Sequence, residues 1–199
     1  MTPDNVPLQQ AYNDTVRAFL RALDLHAPGE ASHAERVAVL AVATAHQLGW
    51  RGEDLVHIRR AAALHDVGKI AVSRDLLEKK GGLTQMEIDE LKLHAMMAVR
   101  VVESLAWLEP AVPMIRHHHE RWDGSGYPDG LKGDAIPEGA RIIAVAEAFD
   151  ALTWPSAFRE PVSTEEAMKE LRDCAGAQFD PNVVEAFAAV QPLIQPLEG

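Results

Sequence analysis

Apolar residues recur at helical spacing along nearly the whole chain, and no run alternates apolar and polar positions as a half-buried strand would. From His33 the residues Val37, Leu40, Ala41, Thr44 and Leu48 share one stripe, and Gly49 ends the run. A second helix is predicted from Glu53 to about Asp66, with Gly68 as its stop. The third announces itself by a capping-box pair, Thr84 and Glu87, with Leu83 and Ile88 placed as a hydrophobic staple. Its apolar face then runs through Ile88, Leu91, Ala95, Ala98, Val102 and Leu105.

Pro110 opens a further helix that reaches His119, and the Gly- and Pro-rich stretch from Asp123 to Gly130 reads as a loop. Pro137 suits the first position of a helix ending near Thr153. Two shorter helices follow. One starts with Ser163 capped against Glu166, the other with Asp180-Pro181 and the apolar Val183, Val184 and Phe187. The pattern predicts an all-α fold, with one domain over residues 31–190. Residues 1–30 form an N-terminal helical extension packed on it, and 191–199 a loose tail.

At 199 residues and 47% hydrophobic, the chain can bury one good core. Its net charge of −11 argues against a protein that wraps duplex nucleic acid, which needs dense Lys and Arg. A small anionic ligand stays open, because bound divalent cations can supply the local positive field. Cys174 is the only cysteine, so neither a disulfide framework nor a zinc-thiolate cluster is expected. Met1 to Gln10 holds acid and prolines without an apolar core, and the apolar runs are too short to span a bilayer. A cytoplasmic protein with no membrane partner is the expectation.

Histidine placement changes the picture most. Five of the nine sit where a core would not choose them. His33 lies on its helix's apolar stripe, and His65-Asp66 closes a mostly apolar helix. His94 borders the Leu91/Ala95 face, while His118 and His119 extend the lines of Met114 and Ile115. A lone buried imidazole is usually just hydrogen-bonded. Five on several helices, with an adjacent carboxylate, are hard to satisfy one by one, and a shared cation satisfies them together. His26, His46, His57 and His117 are expected at the surface.

The segment from Ile142 to Leu152 is apolar nearly all round, so it should be buried, yet it carries Glu147 and Asp150. Buried carboxylates must be paired or bound to metal. Glu147 reads as a metal ligand; Asp150 fits either that role or a salt bridge to Arg36 or Arg141.

These residues belong to strings that resemble a known family. His65-Asp-Val-Gly-Lys-Ile70 is similar to the doublet of the HD phosphohydrolase superfamily. The string from His118-His-Glu120 through Asp123-Gly-Ser-Gly-Tyr-Pro128 to Pro137 resembles the HD-GYP subfamily's signature. Gly82 to Glu87 and Lys92-Leu-His94 match the stretch supplying that family's intervening histidine, and the likeness runs from about His33 to Phe187. It implies an HD-domain helical bundle that hydrolyses cyclic di-GMP to pGpG and, in some members, to GMP. By the same resemblance, His33, His65, Asp66, His94, His118, His119 and Glu147 would hold two or three divalent ions, iron or manganese, with Asp66 bridging. Asp66 and Lys69 would be catalytic, the ions activating a water and clamping phosphoryl oxygens while Lys69 meets the scissile phosphate. The alternative for Lys69 is a helix-end cation that neutralises the dipole. Gly126, Tyr127 and Arg159 would join Lys69 in binding substrate, and the GYP loop offers a surface to a signalling protein.

Three positions depart from the family pattern. Glu147 stands where Asp is usual, Ser156 replaces an arginine expected on substrate phosphate, and Glu30 lies three rather than four residues before His33, where some members hold a third metal. The runner-up expectation is therefore a metal-loaded module, weakly active or inactive, that binds a nucleotide or a partner.

Overall fold

A computed structural model describes residues 6–155 and 160–193. Among the described residues ten α-helices run in order: α1 (Val6–His26), α2 (Glu30–Gln47), α3 (Glu53–Leu64), α4 (Arg74–Leu77), α5 (Gln85–Lys92), α6 (His94–Val102), α7 (Val112–His117), α8 (Glu138–Thr153), α9 (Thr164–Asp173) and α10 (Pro181–Val190). No strand occurs among the described residues, only an isolated bridge between Ala175 and Phe179. The fold is an all-α helical bundle.

Helix α2 is the central member and packs against α1, α3, α8 and α10. Its buried face is mostly small, with Ala34, Val37, Ala38, Ala41 and Ala45, which lets neighbouring backbones come close. Thr44 is buried there too, its hydroxyl donating to the Leu40 carbonyl. Gly49, at φ 98°, takes the left-handed conformation that ends α2. Helix α8 is buried through Ile142, Ile143, Val145, Ala146, Phe149 and Leu152. Phe149 packs on Phe187 of α10 with ring centroids 4.9 Å apart. Both expected capping boxes form, at Thr84/Glu87 and Ser163/Glu166.

Several boundaries differ from the sequence expectation. The long third helix is two, α5 and α6, divided at Leu93, whose N–H turns to the Glu90 carbonyl. Gly68 is no helix stop: α3 ends at Leu64, and Gly68 lies inside a short 3-10 turn, Val67–Ala71. A Cβ there would fall 1.9 Å from the His94 carbonyl oxygen, so glycine is needed for close approach. Pro110 sits within a 3-10 stretch, Ala106–Ala111, and α7 begins only at Val112. Pro137 caps α8 rather than opening it. Residues Gln191–Leu193 make one more 3-10 turn. Of the histidines expected at the surface, His46 is exposed, but His26, His57 and His117 are half-buried. Ser156 and Arg159 lie outside the described residues.

Candidate metal centre

Three histidines owe their positions to helix ends. The last carbonyls of an α-helix have no partner within it. His65, just past α3, donates from Nδ1 to the Ala62 carbonyl at 2.7 Å. His94, at the α5–α6 break, donates likewise to Leu91 at 2.6 Å, and His118, just past α7, to Ile115 at 2.7 Å. Each imidazole reaches back three residues. That places a proton on Nδ1 and turns Nε2 inward as the ring atom available to a metal, the arrangement of a metal-ligating histidine.

The inward atoms converge on Asp66. Its Oδ2 stands 3.2 Å from His65 Nε2 and its Oδ1 3.2 Å from His94 Nε2. His119 Nε2 faces His94 Nε2 at 3.1 Å. Ligand atoms of Asp66, His94, His118 and His119 all fall within 4.8 Å of one another, as do those of His33, His65, Asp66 and Glu147. Asp66 belongs to both groups. His65 Nε2, His118 Nε2 and both Asp66 oxygens are buried without a well-formed hydrogen bond. Native interiors rarely leave such atoms unsatisfied. Converging acceptors of this kind fit divalent cations with a mixed nitrogen and oxygen shell.

His33 is oriented differently. Its Nδ1 donates to Asp150 Oδ2 at 2.7 Å, and Arg36 grips the same carboxylate through Nε at 2.6 Å and Nη2 at 2.8 Å. Asp150 thus takes the salt-bridge role, with Arg36 as partner. Arg36 in turn lies 4.0 Å over the Trp154 ring. Glu147, one turn before Asp150 on α8, stays in the second ligand group.

Charges shape the titration of these groups. Burial favours a neutral His65, but the Asp66 carboxylate overrides it and lifts the imidazole to about 9. Burial, reinforced by the neighbouring His119, holds His118 well below the ordinary histidine value. Burial would raise Asp66, yet Lys69 and His65 keep it well below the usual carboxylate range. Lys69 Nζ lies 2.7 Å from Asp66 Oδ2 and 2.9 Å from Glu30 Oε2, and these carboxylates raise its pKa despite burial.

The loop after α7 covers one side of the centre. Tyr127 stacks on His119, centroids 4.8 Å apart and planes 28° from parallel. Gly126 permits this, because a Cβ there would meet the Arg121 nitrogen at 2.3 Å. Burial raises the Tyr127 phenol, as do Glu147 and Asp66. Glu120 had no assigned role in the sequence reading. It is buried and accepts the N–H groups of Asp129 (2.7 Å) and Leu131 (3.1 Å), tying the loop to α7. The signal for it was its place directly after the histidine pair. A cleft of about 280 Å³ opens beside the cluster between this loop, α8 and the turn before α10. No helix among the described residues is long and apolar enough to cross a membrane.

A family model described as HD domain matches residues 17–183. The chain is 36% identical over 182 residues to the cyclic di-GMP phosphodiesterase response regulator RpfG of Xanthomonas campestris, covering 90% of this chain and 48% of that protein. It is 36% identical over 188 residues to the 3'3'-cGAMP-specific phosphodiesterase 3 of Vibrio cholerae, covering 94% and 40%. The chain thus spans less than half the length of these curated relatives. Among solved structures, an HDG"Y"P protein from Bdellovibrio bacteriovorus superposes with a TM-score of 0.67 at 21% identity, covering 82% of this chain and 52% of that one.

Proposed function

The chain belongs to the HD-domain family, and from that premise we propose that it is a metal-dependent phosphodiesterase that hydrolyses cyclic di-GMP to pGpG or onward to GMP. The observation that carries this reading is the pair of ligand groups sharing buried Asp66. His33, His65 and Glu147 would hold one divalent ion and His94, His118 and His119 the other, with Asp66 available to both. Iron or manganese suits such a shell. When bound, the ions supply Lewis acidity at the phosphoryl oxygens and lower the pKa of the attacking water.

The remaining residues position and neutralise. Lys69 donates one N–H to Glu30 and is ion-paired with Asp66, and an ammonium has three donors, so one remains for a phosphate oxygen. Tyr127 keeps its phenolic proton at neutral pH and is a donor beside His119. Gly126 allows the loop backbone to approach, and Arg159 is the basic residue left after the arginine-to-Ser156 departure.

A second reading is a metal-loaded domain that binds a nucleotide, or a signalling protein through the GYP loop, with little turnover. It is favoured by Lys69 already lying between two carboxylates. One experiment separates the two: elemental analysis of anaerobically purified protein, with chromatography of products from cyclic di-GMP and 3',3'-cGAMP. Two or more equivalents of metal with pGpG or GMP appearing support the phosphodiesterase. Metal without turnover supports the second reading. Absence of metal under every loading condition would sink both.

A further inference from the structure

The cleft beside the cluster has a wall that the metal centre does not use. Ala144, Ala148 and Ala151 on α8 form an apolar floor at helical spacing, one turn apart. The same cleft is lined by Arg121 of the loop and Gln178 of the turn before α10. The two segments are held in register by main-chain bonds, Trp122 N–H to the Gln178 carbonyl at 3.0 Å and Asp123 N–H to the Ala177 carbonyl at 2.8 Å.

Most polar side chains near this cleft are already engaged. Glu120 accepts two loop N–H groups, and Glu147 belongs to the ligand cluster. Arg121 donates through Nε to Ser125 Oγ at 2.9 Å, and its Nη2 stands 3.7 Å from Asp123 Oδ2, beyond hydrogen-bond reach. Its terminal nitrogens therefore keep donors to offer. The half-buried Gln178 amide makes no side-chain hydrogen bond among the described residues and adds two donors and an acceptor.

An apolar alanine face in one cleft with a guanidinium and an amide suits a planar heterocycle whose rim carries acceptors. We infer that Arg121 and Gln178 form a purine-base subsite that prefers guanine. A guanidinium fork matches the O6 and N7 acceptors of guanine, whereas adenine presents a donor beside its N7 and leaves the fork half-paired. The amide can serve either purine, so Gln178 contributes affinity and Arg121 contributes discrimination. The inference rests on the phosphodiesterase reading for the placement of the adjoining phosphate at the ion pair. The base contacts themselves can be measured without turnover.

The test is calorimetric binding of GMP and AMP to the metal-loaded protein and to metal-loaded Arg121→Ala, Arg121→Lys and Gln178→Ala, with cyclic di-GMP turnover followed in parallel. The wild-type protein should bind GMP about tenfold more tightly than AMP. Arg121→Ala should erase most of that preference. Arg121→Lys, which keeps the charge and folds with minimal change, should erase it as well, because a single ammonium cannot form the fork. Gln178→Ala should weaken both nucleotides by a similar factor. Equal GMP and AMP binding by the wild type, or a preference unchanged in both Arg121 variants, overturns the subsite. Discrimination without turnover of cyclic di-GMP would overturn the hydrolase and keep the subsite. Turnover with indifferent Arg121 and Gln178 variants would do the reverse.

Discussion

The two ligand groups that meet at Asp66 are fixed by different means. In one, His94 and His118 are anchored by main-chain carbonyls at helix ends and are buried, as is Asp66 itself. In the other, His65 shares that main-chain anchor, but His33 depends on a chain of side chains, Asp150, Arg36 and the partly exposed Trp154. A carbonyl at a helix end cannot be mutated away, so the first group is as rigid as the helices that carry it. The second can be retuned by single substitutions. The departure from the family pattern at Glu147 falls in that second group. The comparison teaches that the first group should bind its ion more tightly and less adjustably than the second.

Removing what the groups share should have the largest effect. His65→Ala combined with Asp66→Ala is expected to abolish both metal equivalents and all hydrolysis, with helicity by circular dichroism retained. One remaining equivalent would show that Asp66 does not serve both groups. Next comes Gly68→Ala. A methyl aimed at the His94 carbonyl forces the Asp66 turn away from α6. It should cost about 2–3 kcal/mol of stability, by the usual penalty for overpacking. Thermal denaturation reads that cost, and metal analysis should show the first group weakened more than the second. A neutral outcome would mean that the approach of turn and helix does not define that group.

A smaller and more selective effect is expected from the side-chain relay. Asp150→Asn keeps the shape but weakens the hold on His33 and leaves Arg36 without its ion-pair partner. Loss of such outer partners typically lowers metal affinity about 10–100-fold. Chelator competition should show one ion weakened by that factor and the other unmoved. Equal loss of both ions would break the distinction between the groups.

Much of this arrangement was readable in the residues. His65 and His94 follow helical runs, and all five unusual histidines do converge, because each interrupts an apolar face that has to be buried. The all-α pattern held because nearly every element carries a single apolar stripe. What escaped was backbone detail. The break at Leu93 has no glycine or proline to mark it; it is held by the His94 ring, whose Nδ1 donates to the Leu91 carbonyl. Gly68 looked like a stop, because a sequence does not say which backbone will pass within van der Waals distance. Asp150 stayed ambiguous between metal and salt bridge until the approach of α2 to α8 put Arg36 against it. Arg121 and Gln178 lie 57 positions apart by their numbers and meet only through the docking of loop and turn.

The least disruptive way to separate the two groups is to count protons. In the metal-free protein Asp66 lifts His65 to about 9, so at pH 7.5 His65 carries a proton that an ion in the second group must displace. His118 and His119 are both lowered, with burial the leading cause, and are neutral at that pH, so an ion in the first group should displace none from them. Loading at pH 7.5 is therefore expected to release about one proton from these three rings, all of it with the second group. Calorimetry in buffers of different ionisation enthalpy reads that number. Release should fall away as pH passes 9, and affinity of the second group should rise with pH up to that point and then level. The same shifts act on the metal-free fold with opposite signs. The raised His65 contributes stability that is complete below about 6.5 and is lost as pH rises through about 9. The depressed His118 contributes stability that is complete above about 6.5 and is lost as pH falls. The metal-free protein should therefore lose stability on both sides of neutrality, whereas the loaded protein, with its imidazoles held by ions, should flatten on the alkaline side. Proton release shared equally by the two binding events would remove the electrostatic difference between the groups and leave only the difference in their anchors.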